Sequence, residues 1–466
     1  MRRTSLRFML SIVLGLFVMG MPGLTRCHLA EAAKALPGSL SGIRSAFREV
    51  RTVGFQPLGE GDTWRYWKGT EPPPGDWHTR GFDDSGWLTG AVGLGYGDGD
   101  DTTVLDDMQG QYLSVYLRRD FDVLNPDRIA TFVLGVDYDD GFVVYLNGHE
   151  VWRRNVSGSP PGYDTPADGE HEAGEIAYVD LDPSLLIPGA NVLAIQGHNA
   201  NLDSDDFTLI PVLYRGTPYL QNVTPTAITV MWETHPPTAG AIRHRRMGAT
   251  AWTEVPAPEA TQIHKVRLTG LTPGTTYEYQ VDMRGRGDWR PARAPTFRTA
   301  PGDREAYRVV VYGDSRSVPE VHQQVAEAVV SSDPDLILHV GDLVYHGRDY
   351  DEWGPQFFSP AATMLAEIPT IVAWGNHEYY GEGTLWPAEL FSPPEGGSET
   401  WYAFTYGCSR FIGLNSYEDA EGISLAPGSA QHTWLGEELA SPAYEGTSWQ
   451  FAFFHHPPYT SGPHLS

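Results

Sequence analysis

The sequence predicts a multidomain protein in which two all-β domains precede an α/β domain. Three observations predict it. The chain has 466 residues, room for about three domains at roughly 150 residues each. From about residue 55 to residue 299 the apolar residues fall in short alternating or aromatic-rich runs broken by Gly, Asp and Pro, with hardly any helical repeat. After Ala300-Pro301-Gly302-Asp303, near-continuous apolar strands alternate with helical stretches, the pattern of a sheet covered on both faces.

Composition sets the class of partner. Hydrophobic residues make up 41% and aromatics 12%, too much apolar surface for a disordered chain. Asp and Glu outnumber Lys and Arg by 59 to 32, and the formal charge of −27 argues against nucleic acid and anionic lipid as partners. It does not argue against phosphate substrates, because bound metal ions can invert the sign inside a cleft.

Residues 1–35 read as an export signal. Arg2, Arg3 and Arg7 precede an apolar run over residues 8–19 that is too short to span a bilayer, and Ala33-Lys34-Ala35 offers a cleavage site. A secreted or extracytoplasmic protein without a stable membrane anchor is expected. Of the two cysteines, cleavage removes Cys27 and leaves Cys408, so the mature chain is expected to be disulfide-free.

Residues 51–215 form the first β domain. Strands are expected over residues 114–121, 130–136, 141–146 and 191–196, with Asn147-Gly148 as a hairpin turn before residues 149–153. The acidic loop with Asp98, Asp100 and Asp101 reads as solvated rather than as a calcium site, and Trp64, Trp67, Trp77 and Trp87 read mainly as core rather than as a sugar platform. The second β domain spans residues 216–300. It alternates around Trp232 and places Tyr277 after a Pro-Gly turn, as a tyrosine corner requires. Its expected role is a spacer that packs against its neighbour.

Residues 305–466 carry the chemistry. Helices are expected over residues 317–331, 350–365 and 429–439, the first opened by Ser317 and Glu320 as a capping box with Val321, Val325, Ala328 and Val329 on its apolar face. Four apolar strands end in Gly313-Asp314, Gly341-Asp342, Gly375-Asn376-His377 and His455. In an open α/β sheet, ligands bind beyond the carboxyl ends of the strands, so these side chains are expected at one rim. Each Gly before a ligand permits a tight turn and close backbone approach, and mixed oxygen and imidazole donors suit iron, zinc or manganese.

This set resembles the calcineurin-like metallophosphoesterases and, within them, the purple acid phosphatases, which also carry a fibronectin type III-like domain upstream. The text "VDYDDGFVVYLNGHEVWRRN" in the first domain resembles galactose-binding-like jelly rolls. The resemblance implies that Asp314, Asp342 and Tyr345 hold a first metal, iron, and that Asp342 bridges to a second divalent metal (Fe, Zn or Mn) held by Asn376 and His455. It further implies that His377 contacts phosphate and that His464 is a candidate general acid. Arg316 stands where the branch usually has Gly, a departure at the substrate side of the site. Such a metal pair lowers the pKa of a bound water and offsets charge on the attacking and leaving oxygens.

Only 11 residues follow His455, and none forms the Gly-His-x-His motif that the resemblance implies. The α/β domain therefore reads as truncated, with a bare sheet edge and negligible activity expected of the chain as it stands. The functional expectation is a secreted dinuclear metallophosphatase hydrolysing phosphate monoesters by a metal-bound hydroxide. The alternatives are a phosphodiesterase of the same superfamily, or a protein whose jelly roll binds carbohydrate or a surface polymer beside a vestigial phosphatase domain.

Overall fold

The computed structural model describes residues 16–19 and 62–458, apart from 98, 100, 124–125, 283–284, 286, 292 and 419–423. Most of the expected export signal lies outside these residues, as do Asp98, Asp100 and His464. Residues 16–19 are the strand β1 (Leu16–Met19). The chain divides into two compact units, residues 55–216 with 291–293, and residues 217–290 with 294 onward together with the N-terminal segment. Among the described residues no helix is long and apolar enough to cross a membrane.

The first unit is a two-sheet β-sandwich. Its strands are β2 (Thr63–Lys68), β3 (Leu88–Ala91), β4 (Leu94–Tyr96), β5 (Thr103–Val104), β6 (Ser114–Val123), β7 (Thr131–Tyr138), β8 (Gly141–Leu146), β9 (His149–Arg154), β10 (Ala177–Asp180), β11 (Gly189–His198) and β12 (Phe207–Gly216). One sheet runs β3-β2-β6-β11-β8-β9 and the other β10-β7-β12-β4-β5. Leu117, Leu134, Phe142, Val144, Ile195 and Leu213 are buried in the main core of this unit. The expected turn is present: Asn147 and Gly148 have φ of 52° and 90°, the left-handed pair that a two-residue hairpin demands. On a separate patch, Trp77 and Trp87 pack with Tyr116 and Tyr145, and Trp67 leans on them, so these rings serve packing. Trp64 is buried in the main core. Buried Arg118, beside the Trp77 patch, is held by Asp84 at 3.0 Å and by the carbonyl of Thr79.

In the second unit, β13 (Tyr219–Gln221), β14 (Ile228–Arg246), β15 (Thr253–Leu268), β16 (Thr276–Asp282), β17 (Trp289–Arg290) and β18 (Thr296–Arg298) form the second β domain. Trp232 is buried with its ring stacked 4.6 Å from that of His264, and the Thr272 N–H donates to the Tyr277 hydroxyl at 2.9 Å, which ties the corner down. This domain shares a core with the α/β domain. Tyr219 and Met231 pack with Trp353, Phe357 and Trp374, and the Tyr279 hydroxyl donates to the Ala366 carbonyl at 2.7 Å.

The α/β domain contains β19 (Val309–Tyr312), α1 (Pro319–Ser331), β20 (Leu336–His339), α2 (Tyr350–Trp353), α3 (Ala362–Glu367), β21 (Thr370–Val372), α4 (Trp386–Leu390), β22 (Tyr402–Tyr406), β23 (Ser409–Gly413), α5 (Ala430–Leu439), α6 (Pro442–Glu445) and β24 (Trp449–Phe453). β19, β20 and β21 make a parallel sheet, whereas β24 belongs to a second sheet of order β1-β24-β23-β22. The four ligand-bearing strands therefore belong to two sheets rather than one. The edge of β24 expected to be bare is paired antiparallel with β1.

Three local expectations are corrected. Helix α1 has Val318 at its N-cap with no side-chain hydrogen bond, because Ser317 adopts φ of 76° and cannot cap it. Its buried face carries His322, Ala326 and Val329, with Ala328 exposed: the helix starts two residues later than expected and turns a histidine inward. The helix expected over residues 350–365 is broken by a π-helical turn, Gly354–Phe358, that contains Pro355. Cys408 is buried and disulfide-bonded, contrary to the disulfide-free state, which presupposed the loss of Cys27.

Candidate metal centre

Each strand hands its polar residue to the site through a turn that only close backbone contact permits. After β20, Gly341 takes φ of 92° and Asp342 φ of 59°. A Cβ on Gly341 would stand 2.6 Å from the Gly375 nitrogen, and one on Gly375 would stand 2.2 Å from Asp342 Oδ1. Neither position tolerates a side chain. After β19, Asp314 also lies in the left-handed region, at φ of 53°, with its N–H donating to the Gly341 carbonyl at 3.0 Å. Non-glycine residues at positive φ cost on the order of 1–3 kcal/mol, strain that clusters at functional sites.

These turns bring Asp314, Asp342 and His455 together, with one donor atom of each within 4.8 Å of the others. His455 Nδ1–H donates to the Val340 carbonyl at 2.8 Å, which leaves Nε2 facing Asp342 Oδ2 at 3.3 Å. A ring anchored through one nitrogen and offering the other is the arrangement of a metal-ligating histidine. Asp342 is 1% exposed. Burial would raise its pKa, but the hydrogen bond and charge of His455, with Arg316, bring it down to about 2. His455 responds in the opposite sense: burial disfavours its charge, yet the bond to Asp342 lifts it to about 9.

Two cationic or neutral donors flank this set. Arg316 Nη1 contacts Asp314 Oδ1 at 3.0 Å and also pairs closely with Asp342, so its guanidinium bridges the two carboxylates of the cluster. His377 donates its backbone N–H to Asp342 Oδ1 at 3.2 Å and its Nδ1–H to the Tyr345 carbonyl at 2.6 Å. Burial holds that imidazole below its ordinary range, favouring the neutral ring.

The remaining expected residues stand further out. Tyr345 reaches the cluster through its carbonyl and through its ring, 4.9 Å from that of His377, and is 47% exposed. Asn376 donates from Nδ2 to the Tyr380 hydroxyl at 2.9 Å, which leaves its Oδ1 as an available oxygen donor. His456 turns to Ser416, whose hydroxyl accepts its backbone N–H at 2.8 Å.

Two residues that the sequence reading left without a role prove central. Glu378 is fully buried and accepts three backbone N–H groups, from Asp342 at 2.9 Å, Leu343 at 2.7 Å and Gly375 at 2.6 Å. Burial and the Asp342 charge push its pKa up to about 7. His339, also fully buried, holds Ser315 at 3.0 Å behind the Asp314 turn. The signal for Glu378 was a carboxylate directly after Gly375-Asn376-His377 at the end of an apolar strand.

Asp314, Asp342 and His455 form a group of donors that could hold a metal ion. Residues 307–466 match the calcineurin-like phosphoesterase family, and residues 215–299 match the N-terminal domain of purple acid phosphatases. These two stretches of the chain are similar, in the same order, to the two domains of purple acid phosphatases. The chain is 28% identical over 232 residues to purple acid phosphatase 15 of Arabidopsis thaliana, covering 43% of this chain and 42% of that protein. It is 27% identical over 247 residues to purple acid phosphatase 13 of the same plant, covering 43% of each. The matched part thus spans less than half the length of these relatives. A solved structure, purple acid phosphatase PPD1 from yellow lupin (Lupinus luteus) seeds, aligns with a TM-score of 0.43 at 18% identity, over 77% of this chain and 71% of that one.

Proposed function

We propose that the protein is a secreted dinuclear phosphatase that hydrolyses phosphate monoesters. The observation that carries this reading is the convergence of Asp314, Asp342 and His455 donor atoms within 4.8 Å, with His455 Nδ1 anchored on the Val340 carbonyl so that Nε2 is directed at Asp342. The donor set fits the implied metals: buried carboxylate and imidazole suit iron, zinc or manganese. Asp314 and Asp342, with Tyr345, would hold iron, and Asn376 with His455 a second divalent metal, Asp342 lying between the two. Metals held there supply Lewis-acid activation of water and neutralise charge on the phosphoryl group.

The chain's own residues supply the rest. His377, neutral and fixed through Nδ1, presents Nε2 as a hydrogen-bonding atom to a phosphate oxygen. Arg316 supplies a guanidinium suited to bidentate contact with the same phosphoryl group. His464 is the candidate proton donor to the leaving group. In this reading residues 1–35 export the chain, the jelly roll over residues 51–215 engages carbohydrate or a surface polymer, and residues 216–300 orient the catalytic domain at 305–466. The basic residues ahead of the apolar run near the N-terminus support export.

The second reading is a vestigial site beside a binding domain, and the observation favouring it is Arg316, whose guanidinium bridges Asp314 and Asp342. One experiment separates the readings. The full chain is loaded with iron and with zinc or manganese, its metal content is measured, and turnover of a phosphate monoester is compared with that of a diester. Stoichiometric metal with monoester turnover lost in Asp342→Asn supports the phosphatase, and a visible absorption band lost in Tyr345→Phe supports iron at Tyr345. Preferential diester turnover would replace the monoesterase reading, and absence of both metal and turnover would leave the vestigial one.

A further inference from the structure

A second group of convergent carboxylates lies in the β-sandwich unit, independent of the metallophosphoesterase site. Asp139 sits in the turn between β7 and β8, Glu172 in the long connection from β9 to β10, and Asp206 immediately before β12. One carboxylate oxygen of each lies within 4.8 Å of the others. We propose that these three side chains bind a calcium ion.

The spacing is the first argument. Oxygens that share a calcium at about 2.4 Å each can stand at most about 4.8 Å apart. The second argument is independent of the clustering. Asp139 is 2% exposed, and while its Oδ1 accepts the Ala173 N–H at 2.7 Å, its buried Oδ2 has no hydrogen-bond donor. Buried carboxylate oxygens almost always carry a donor or a cation. Asn199 is 1% exposed, and its Oδ1 is likewise without a donor. Its Nδ2 donates to the Asp206 carbonyl at 3.1 Å, which places this amide against the same segment.

The charge pattern agrees with that geometry. Burial, with the charges of Asp206, Asp140 and Glu172, pushes the Asp139 pKa up to about 7, so three carboxylates oppose one another when no cation intervenes. The donors are all oxygen, and no imidazole or thiol joins the three, which selects a hard cation. The group mixes a buried, a half-buried and an exposed carboxylate, an irregular shell that calcium accepts and magnesium, which demands near-octahedral geometry, does not.

The test uses the full chain, stripped with a chelator and titrated with calcium by equilibrium dialysis and by thermal unfolding. One calcium should bind with a dissociation constant of about 0.1–1 mM, typical of extracellular sites. At tenfold excess over that constant, the unfolding temperature of the β-sandwich should rise by about 3–6 °C. Glu172→Gln, at an exposed position, should weaken binding at least about tenfold without unfolding the domain. Asp139→Asn keeps an oxygen for the Ala173 N–H but puts a donor where the bare oxygen was, so it should abolish the calcium response while leaving the calcium-free protein equally or more heat-stable. Asp342→Asn, in the metallophosphoesterase site, should bind calcium as the parent does. No calcium bound by the parent chain, binding retained in Glu172→Gln and Asp139→Asn, or binding lost in Asp342→Asn would each overturn the proposal. If Asp139→Asn fails to fold, Glu172→Gln alone decides it.

Discussion

Glu378 and Asp342 are joined through the backbone: the Glu378 carboxylate receives the Asp342 N–H at 2.9 Å, and it receives the N–H of Gly375 at 2.6 Å from the neighbouring turn. A single buried anion therefore sets the spacing between the turns that deliver Asp342 and His377. Buried carboxylates are expensive unless several donors meet them, and three do so here.

Glu378→Gln should loosen both turns together. The amide can accept on one side only, and its NH2 would face a backbone N–H. A loss of about 2 kcal/mol is expected, the scale of a buried group left unsatisfied. Urea unfolding, read by hydrogen exchange of the segments after β20 and β21, should show weaker protection there and no change in the β-sandwich.

Gly375→Ala tests the steric argument. A Cβ there would stand 2.2 Å from Asp342 Oδ1, so the carboxylate must move. Metal affinity of the α/β domain should fall about 10- to 100-fold, the range for disturbed ligand orientation. A chelator competition assay measures it, and wild-type affinity would show that the turn adapts.

Arg316→Ala separates competition from organisation. The guanidinium bridges Asp314 and Asp342, so a metal must displace it. The variant has no such charge-assisted bonds, about 1.5–3 kcal/mol, for the metal to break, and metal should bind at least about tenfold more tightly. Weaker binding would mean that Arg316 holds the two carboxylates in place for the metal.

His198 makes the first unit sensitive to acid. It is fully buried at the end of β11, its Nδ1–H donates to the Thr165 carbonyl at 2.7 Å, and burial lowers its pKa to about 4. The unfolded chain takes up this proton near pH 6.5, the folded chain only near pH 4. Stability is thus fully present above pH 6.5 and falls by about 3 kcal/mol toward pH 4. In His198→Leu the fall between these pH values should shrink by that amount, followed by hydrogen exchange of β11.

Much of this was legible in the chain itself. An apolar run of β-branched and aromatic residues located β8, and Asn147-Gly148 its turn, because strand propensity and turn chemistry are local. The Gly-Asp and Gly-Asn-His endings of β19, β20 and β21 were legible because a ligand after an apolar strand is also a local pattern. Helix α1 shows the limit of such reading: a capping box depends on the φ of one residue, and the strain at Ser317 is set by the Asp314 turn packed against Gly341.

The sequence by itself determined which residue types end the strands and which segments are β or α, since these follow from nearest neighbours along the chain. Only the tertiary structure decided that β24 lies in a different sheet from β19, β20 and β21 and still sets His455 Nε2 3.3 Å from Asp342. It alone decided that Glu378 binds three N–H groups and that Asp139, Glu172 and Asp206 meet. The physical reason is the same in each case. A buried charge is stabilised by donors and counter-charges from segments remote in sequence, and which segments those are depends on how the sheets pack rather than on any spacing along the chain.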